Sequence, residues 1–383
     1  MKTERRPLAV YAITKHGVGI ATRLIEKLPA ADLYVSDKVR AGAPANVQER
    51  ALPLPLPMGP LLADKFSAYD SHVFIISVGA VVRMIAPLIK DKKIDPAVVC
   101  VDDDARFAIC VLSGHVGRGN ALTTRVAEAL GAQPVITTAS DVRGTLTVDI
   151  LGRDLGWELD DPDRNVTRGC AAVVNAAPVA FVQEAGEPNW WPDDKPLPEG
   201  VHYATSLDGL DPSAFEILLV ATDREIRDTH PAHWTNAVLY RPKSLILGLG
   251  CDKGAATEMV ERGIVTILAE HGLSQKSVKA IATIDKKKDE PAFVALSERL
   301  GWPLHVYAAE DLDVVPGIEN PSETVKRHVG SRGVAEPAAL LAAGAEALLV
   351  PKQSYTEPEA GRSMTLAVAR IPFPKRRMEV GHE

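Results

Sequence analysis

Residues 107–131 read FAICVLSGHVGRGNALTTRVAEALG, and this stretch decides the fold. Phe107–Leu112 is a short apolar run of strand type. Ser113-Gly114-His115-Val116-Gly117-Arg118-Gly119-Asn120 is a polar, glycine-rich turn. Leu122, Val126, Ala129 and Leu130 then fall on one helical face, and Gly131 stands where a helix is expected to end. Strand, glycine turn, helix is the unit from which helix-covered parallel sheets are built.

The unit recurs outward in both directions. Ala97–Val101 and Phe107–Leu112 bracket the polar turn 102–106 as strand, turn, strand. Leu8–Thr14 is a strand, His16-Gly17-Val18-Gly19 its turn, and a helix follows to about Leu28. Val73–Ser77 leads through Gly79 into a helix over Ala80–Ile89, and Pro134–Thr138 is the next strand. After about Trp157 the pattern weakens. Glu184–Gly200 holds Pro188, Pro192, Pro196, Pro198, Trp190 and Trp191; it reads as a loop, lid or join, or as a turn whose tryptophans cover a neighbour. Ile217–Ala221 restores a strand.

A new unit begins near Arg241. Ser244–Leu247 is a strand, 248–254 a turn, Thr257–Glu270 a helix and Val278–Ile284 a strand. Pro291–Leu300 is a helix with proline at its favoured first position, and Leu304–Tyr307 a strand. Ser322–His328 and Ala338–Ala343 are helices; Ala347–Val350 and Thr365–Ile371 close the sheet. The charged tail 372–383 is expected to fray. The expected class is α/β: two doubly covered, mostly parallel-sheet units at 1–150 and 241–383, with a smaller α/β or irregular middle region at 151–240.

Composition agrees. At roughly 150 residues per domain, 383 residues make two or three domains. A chain of this size buries about three quarters of its surface and needs no disulfide or metal staple. Hydrophobic residues at 46% and charged ones at 24% exclude disorder over most of the chain. Net charge −7 argues against nucleic acid, whose binders carry basic stripes. The clusters Lys90/Lys92/Lys93, Lys286–Lys288 and Lys375–Arg377 read first as solvated charge and second as local capture of an anionic ligand. Cys100, Cys110, Cys170 and Cys251 form no CxxC pair, which suits a reducing cytoplasm and no thiolate metal site. The first residues lack the apolar run of a signal peptide, and no stretch is long enough to span a membrane.

Three segments are candidates for chemistry. Ser113–Asn120 opens a helix, where backbone N–H groups and the helix dipole favour anions, and His115 suits acid–base work near neutrality. A solvent-facing histidine in a plain turn explains it about as well. Ser113 lacks the GxSxG elbow and better suits capping or ligand contact. Gly248-Leu249-Gly250-Cys251-Asp252-Lys253-Gly254 imitates a dinucleotide fingerprint, but its third glycine comes one position late, so a tight turn explains it better. Thr283–Glu290 follows a strand's carboxyl end, where open α/β sheets bind ligands. His230 and His233 have metal-ligand spacing without a third ligand nearby.

These segments resemble the cobalt-precorrin-5A hydrolase family of anaerobic cobalamin biosynthesis. The likeness rests on Ser77–Leu88 with Lys92–Val98, on Leu112–Gly117 with Asn120, and on Pro134–Thr138. In the C-terminal half it rests on Gly248–Cys251, Ala282–Lys286 with Glu290, Val334–Leu341, Lys352 and Thr365–Arg370. Arg118 departs from the family's pattern, and the middle region carries no matching motif. The resemblance implies hydrolysis of the ring A acetate δ-lactone, release of the extruded carbon and its methyl group as acetaldehyde, and cobalt-precorrin-5B as product. For that chemistry residue type makes His115 the first choice of base, with Glu290 or Glu336 as second carboxylate. For the polycarboxylate substrate it implies Gly79, Arg83, Ser113, Gly114, Gly117, Asn120, Thr137, Thr138, Gly250, Lys253, Thr283, Asp285, Lys286 and Lys352. The substrate is expected in a cleft between the N- and C-terminal units. Cobalt arrives inside it, so no cofactor or protein-held metal is expected. The expected setting is cytoplasmic, with transient contacts to other enzymes of the pathway. Two other readings stay open: a nicotinamide oxidoreductase and a non-catalytic tetrapyrrole carrier.

Overall fold

The structure is a computed structural model describing residues 5–357, 361–374 and 376. Lys375 and residues 377–383 of the expected frayed tail lie outside the described residues. The chain divides into two compact units, Met1–Ile150 and Leu151–Glu383.

The first unit has one seven-stranded sheet. Its strands are β1 (Ala9–Ala12), β2 (Asp32–Ser36), β3 (Leu52–Leu54), β4 (Ser71–Ile75), β5 (Ala97–Val101), β6 (Phe107–Leu112) and β7 (Gln133–Val135). Their order is β3-β2-β1-β4-β5-β6-β7. All pairs are parallel except β5·β6, the expected strand–turn–strand. Separate apolar clusters cover its two faces, one on Val10, Val73 and Leu122, the other on Tyr11, Phe74 and Val81. The helix Lys15–Lys27 starts where Thr14 Oγ1 accepts from Gly17 N at 2.9 Å. β2 and β3 fall where the sequence showed no strand; β3 lies at the sheet edge, the position that tolerates Pro53.

The second unit holds two five-stranded sheets. The first comprises β8 (Glu158–Leu159), β9 (Val179–Gln183), β10 (Val201–Ala204), β11 (Ile217–Ala221) and β12 (Ala237–Arg241), ordered β10-β9-β11-β12-β8. Only β8 runs antiparallel. The middle region is thus α/β and regular. Trp190 of the proline-rich stretch is 8% exposed and packs on Phe181 of this sheet, ring centres 3.9 Å apart.

The second sheet comprises β13 (Leu245–Cys251), β14 (Val278–Ile284), β15 (Leu304–Tyr307), β16 (Val350–Glu357) and β17 (Arg362–Arg370), ordered β15-β14-β13-β17-β16. β13, β14 and β15 are parallel; β17 and β16 add antiparallel. Apolar clusters cover both faces here too.

One local expectation is overturned. Gly248 and Gly250 lie inside β13, paired with Ala367 and Thr365, and are not in a strand–helix turn. A Cβ at Gly248 would sit 1.8 Å from the Ala335 carbonyl oxygen. That glycine lets the helix Ala335–Ala343 lie against the strand, and the feature that suggested a nicotinamide cofactor disappears with the turn.

Arg376 also departs from expectation. Its side chain is 4% exposed, stacks over Trp190 at 4.8 Å and donates to the Trp191 carbonyl at 2.7 Å. It is a buried cation. Among the described residues, no helix is long and apolar enough to cross a membrane.

Candidate functional site

In the first unit, residues 113–120 close on themselves. Gly119 N donates to Ser113 O and Asn120 N to Gly114 O, both at 2.9 Å. A Cβ at Gly114 would lie 2.7 Å from Asn120 Oδ1, and one at Gly117 would lie 2.5 Å from the Ser113 Cβ. Those glycines therefore serve the loop's own packing before any ligand's approach.

The loop holds His115 with its side chain 15% exposed. Nε2 lies 2.9 Å from Asp141 Oδ2 and 3.0 Å from Ser140 Oγ. Nδ1 faces Asp149 Oδ1 at 3.3 Å, a contact off hydrogen-bond alignment. Asp149 contributes most to raising the imidazole's pKa, desolvation opposes it, and Asp141 adds to the rise. Asn120, 7% exposed, donates from Nδ2 to Thr138 Oγ1 at 2.7 Å and to the same Asp141 oxygen at 2.9 Å. Ser113 Oγ and Asn120 Oδ1 are buried with no hydrogen-bond partner among the described residues, so their hydrogen-bonding capacity is unmet there. His115, Asn120, Thr138, Ser113 and Gly114 are thus brought together. Thr137 beside them is exposed, as are Gly79 and Arg83 on the helix Val78–Ile85.

Ser140, Asp141 and Asp149 escaped sequence reasoning. Ser140 and Asp141 follow the Thr137-Thr138 pair after Ala139, which is the one available signal. Asp149 had none, because its contact depends on how residues 144–149 return to the loop.

In the second unit, Glu290 is 7% exposed; Oε1 accepts from Gly254 N at 2.9 Å and Oε2 from Lys287 Nζ at 2.7 Å. Burial pushes its pKa up, but Lys287 and Gly254 outweigh that and hold it below the usual carboxylate range. Glu336 is 3% exposed and fully engaged. Oε2 accepts from Glu319 N and Asn320 N at 2.9 Å; Oε1 accepts from Asn320 Nδ2 at 2.8 Å and Lys352 N at 2.9 Å. Burial raises its pKa and these donors more than reverse the rise. Both glutamates hold loops. Each Glu336 oxygen accepts two hydrogen bonds, whereas each Glu290 oxygen accepts one.

Thr283 is fully buried and donates to Leu249 O at 2.7 Å, a bond between strands. Gly250 faces Thr365 in the sheet. Asp285, Lys286 and Lys253 are exposed, with Lys286 Nζ donating to Val329 O at 3.0 Å. Lys352 Nζ donates to Asn320 O at 3.3 Å. Among the described residues, no group of three or more His, Cys, Asp or Glu side chains is placed to hold a metal ion. His230 and His233 turn to Asp208 and the Leu210 carbonyl instead.

Three family models match in chain order: Cobalamin synthesis G N-terminal over residues 60–141, Cobalamin biosynthesis central region over 146–242 and Cobalamin synthesis G C-terminus over 245–369. The chain is 42% identical over 372 residues to a cobalt-precorrin-5A hydrolase of Priestia megaterium, covering 97% of this chain and 96% of that one. It is 30% identical to the cobalt-precorrin-5A hydrolase of Salmonella typhimurium, covering 94% of this chain and 97% of that one. A solved cobalamin biosynthesis protein G homologue from Sulfolobus solfataricus aligns over 96% of this chain and 98% of its own, at 19% identity and a TM-score of 0.36. Matched along nearly its whole length, the chain belongs to the cobalt-precorrin-5A hydrolase family.

Proposed function

We propose that this chain opens the ring A acetate δ-lactone of cobalt-precorrin-5A with water and releases the extruded carbon and its methyl group as acetaldehyde. The observation that carries the mechanism is His115 held between Asp149 and Asp141 beside two unpartnered buried polar atoms. Neutral His115 takes a proton from the attacking water, and the flanking carboxylates stabilise the imidazolium that results. Ser140, 6% exposed, is too enclosed to attack a large substrate and orients the imidazole instead. In this reading Asp149 and Asp141 replace Glu290 and Glu336 as the carboxylates of the reaction. The exposed Arg83 of the same unit meets one of the substrate's carboxylate arms.

Cobalt enters with the substrate, no resident cofactor takes part, and the enzyme works in the cytoplasm with transient contacts to neighbouring enzymes of the pathway. The division into 1–150, 151–240 and 241–383 belongs to the same reading. Anaerobic incubation with cobalt-precorrin-5A tests it directly. Acetaldehyde formed in step with substrate loss is expected; tight binding without acetaldehyde makes the chain a carrier.

The raised pKa of His115 gives a pH prediction. A histidine whose pKa is raised stays protonated to higher pH, so a base in its neutral form gains activity as pH rises through that value. Asp149→Asn removes the largest cause of the rise. The rising limb of kcat/KM should move to lower pH, and the plateau rate should fall severalfold as orientation loosens. An unmoved limb would separate Asp149 from His115's titration.

A further inference from the structure

Within the second unit, the β10-β9-β11-β12 part of the middle sheet is parallel. From β9 the chain steps to one side to form β10 and then returns to the other side for β11. Open α/β sheets bind ligands beyond the carboxyl ends of their strands at such a reversal. A cavity of about 280 Å³ lies there. Gln183 ends β9 and Thr205 follows β10; Tyr203, Arg370, Phe373 and Arg376 complete the wall used below. None of these residues belongs to the His115 site.

Charge singles out one side chain. Glu184 on the wall is spent: Arg224 pairs with both its oxygens, Thr222 Oγ1 donates at 2.7 Å and Leu207 N at 3.1 Å. Arg370 is spent too, bonded through two nitrogens to Asp223 at 2.7 and 2.6 Å. Among the described residues Arg376 has no two-pronged carboxylate partner. Its hydrogen-bond acceptors there are the carbonyls of Pro188, Trp191 and Pro192, at 3.4, 2.7 and 3.2 Å. Its ion pair there is a long one, to Asp193 at 3.8 Å, a carboxylate 78% exposed. Three hydrogen bonds leave two of the five guanidinium donors. A buried cation held by neutral oxygens on a cavity wall favours an anion, and a guanidinium matches a carboxylate.

We infer that this cavity binds a small carboxylate whose oxygens face Arg376 and whose carbon chain lies against Tyr203 and Phe373. A cavity of about 280 Å³ has room for a short-chain acid. The carboxylate comes from a free metabolite or from a side arm of a larger molecule. The proline-rich stretch gains a role: it brings Trp190 and three carbonyls to Arg376. This inference does not depend on His115 acting as base.

Calorimetric titration of the full chain with sodium propionate tests it, with propionamide as the uncharged analogue and sodium chloride as the ionic control. Saturable binding of propionate at least tenfold tighter than propionamide is expected. Arg376→Gln should weaken it at least tenfold, and Arg376→Lys, which keeps the charge, should restore most of it. Thr205→Trp fills the cavity from a wall residue other than Arg376 and should abolish binding with thermal stability retained, which covers the event that Arg376→Gln fails to fold. Equal binding of propionamide, a response to chloride of the same size, or unchanged affinity in both Arg376→Gln and Thr205→Trp overturns the inference. Cobalt-precorrin-5A separates the sources: displacement of propionate assigns the site to a side arm, and simultaneous binding assigns it to a free acid.

Discussion

His115→Ala is expected to lower acetaldehyde release from cobalt-precorrin-5A by about 10²- to 10⁴-fold, the range that a positioned general base contributes. Folding survives because the loop is stapled by backbone bonds from Gly119 to Ser113 and from Asn120 to Gly114, which the side chain does not make. The variant also leaves Asp141 and Asp149 without the imidazole between them, and a carboxylate is a weaker base than imidazole. The rising pH limb assigned to His115 should vanish, leaving a slow rate set by hydroxide. Single-turnover assays with matched circular dichroism decide the matter. A near-parental rate in a folded variant would remove His115 from the chemistry while leaving the family assignment intact.

The largest effect on stability is expected at a residue that touches no ligand. Gly248→Ala places a methyl group 1.8 Å from the Ala335 carbonyl oxygen, 2.7 Å from its carbon and 2.9 Å from Ala339 N. These are backbone atoms of a nine-residue helix and cannot swing aside as a side-chain tip would. The helix Ala335–Ala343 must lift off the sheet, which separates Ala338, Ala339 and Leu340 from their neighbours in a closed apolar cluster. Overpacking of this kind costs about 3 kcal/mol or more, a fall of roughly 10 °C in Tm for a unit of this size. Gly19→Ala is the control. Gly19 sits in the helix Lys15–Lys27 with nothing within 4 Å of an added Cβ, so the change should stabilise by roughly 0.5–1 kcal/mol. Calorimetry on both variants checks the pair. A Gly248→Ala chain melting within a degree or two of the parent would show that the helix does not bear on the strand as described.

Gly248 also shows where sequence reading stops. A glycine followed by another two residues on looks like a turn, and that pattern predicts a strand ending at Leu247. The demand for glycine comes from a helix almost ninety positions later in the chain. Where the controlling pattern is local, the reading agrees with the structure residue for residue. The helices Thr257–Glu270 and Pro291–Leu300 and the strands Val278–Ile284 and Leu304–Tyr307 are examples, each set by periodicity or a cap. The middle sheet shows the opposite case. β12 ends on Arg241, whose fully buried guanidinium pairs with Asp160 and Glu225 at 3.1 Å. A charged residue at the end of a strand reads as surface until its partners are known.

The candidate site divides the same way. The sequence alone marked the Ser113–Asn120 loop, His115 within it and the family to which those motifs belong, because a glycine-rich strand–helix junction and its one histidine are contiguous in the chain. Only the tertiary structure decided that His115 faces Asp149 and Asp141, that Glu290 and Glu336 spend their oxygens on loops, and that Arg376 is buried beside a cavity. Each of those outcomes depends on which distant groups packing brings within hydrogen-bond range and removes from water. Residue type and spacing carry no record of that.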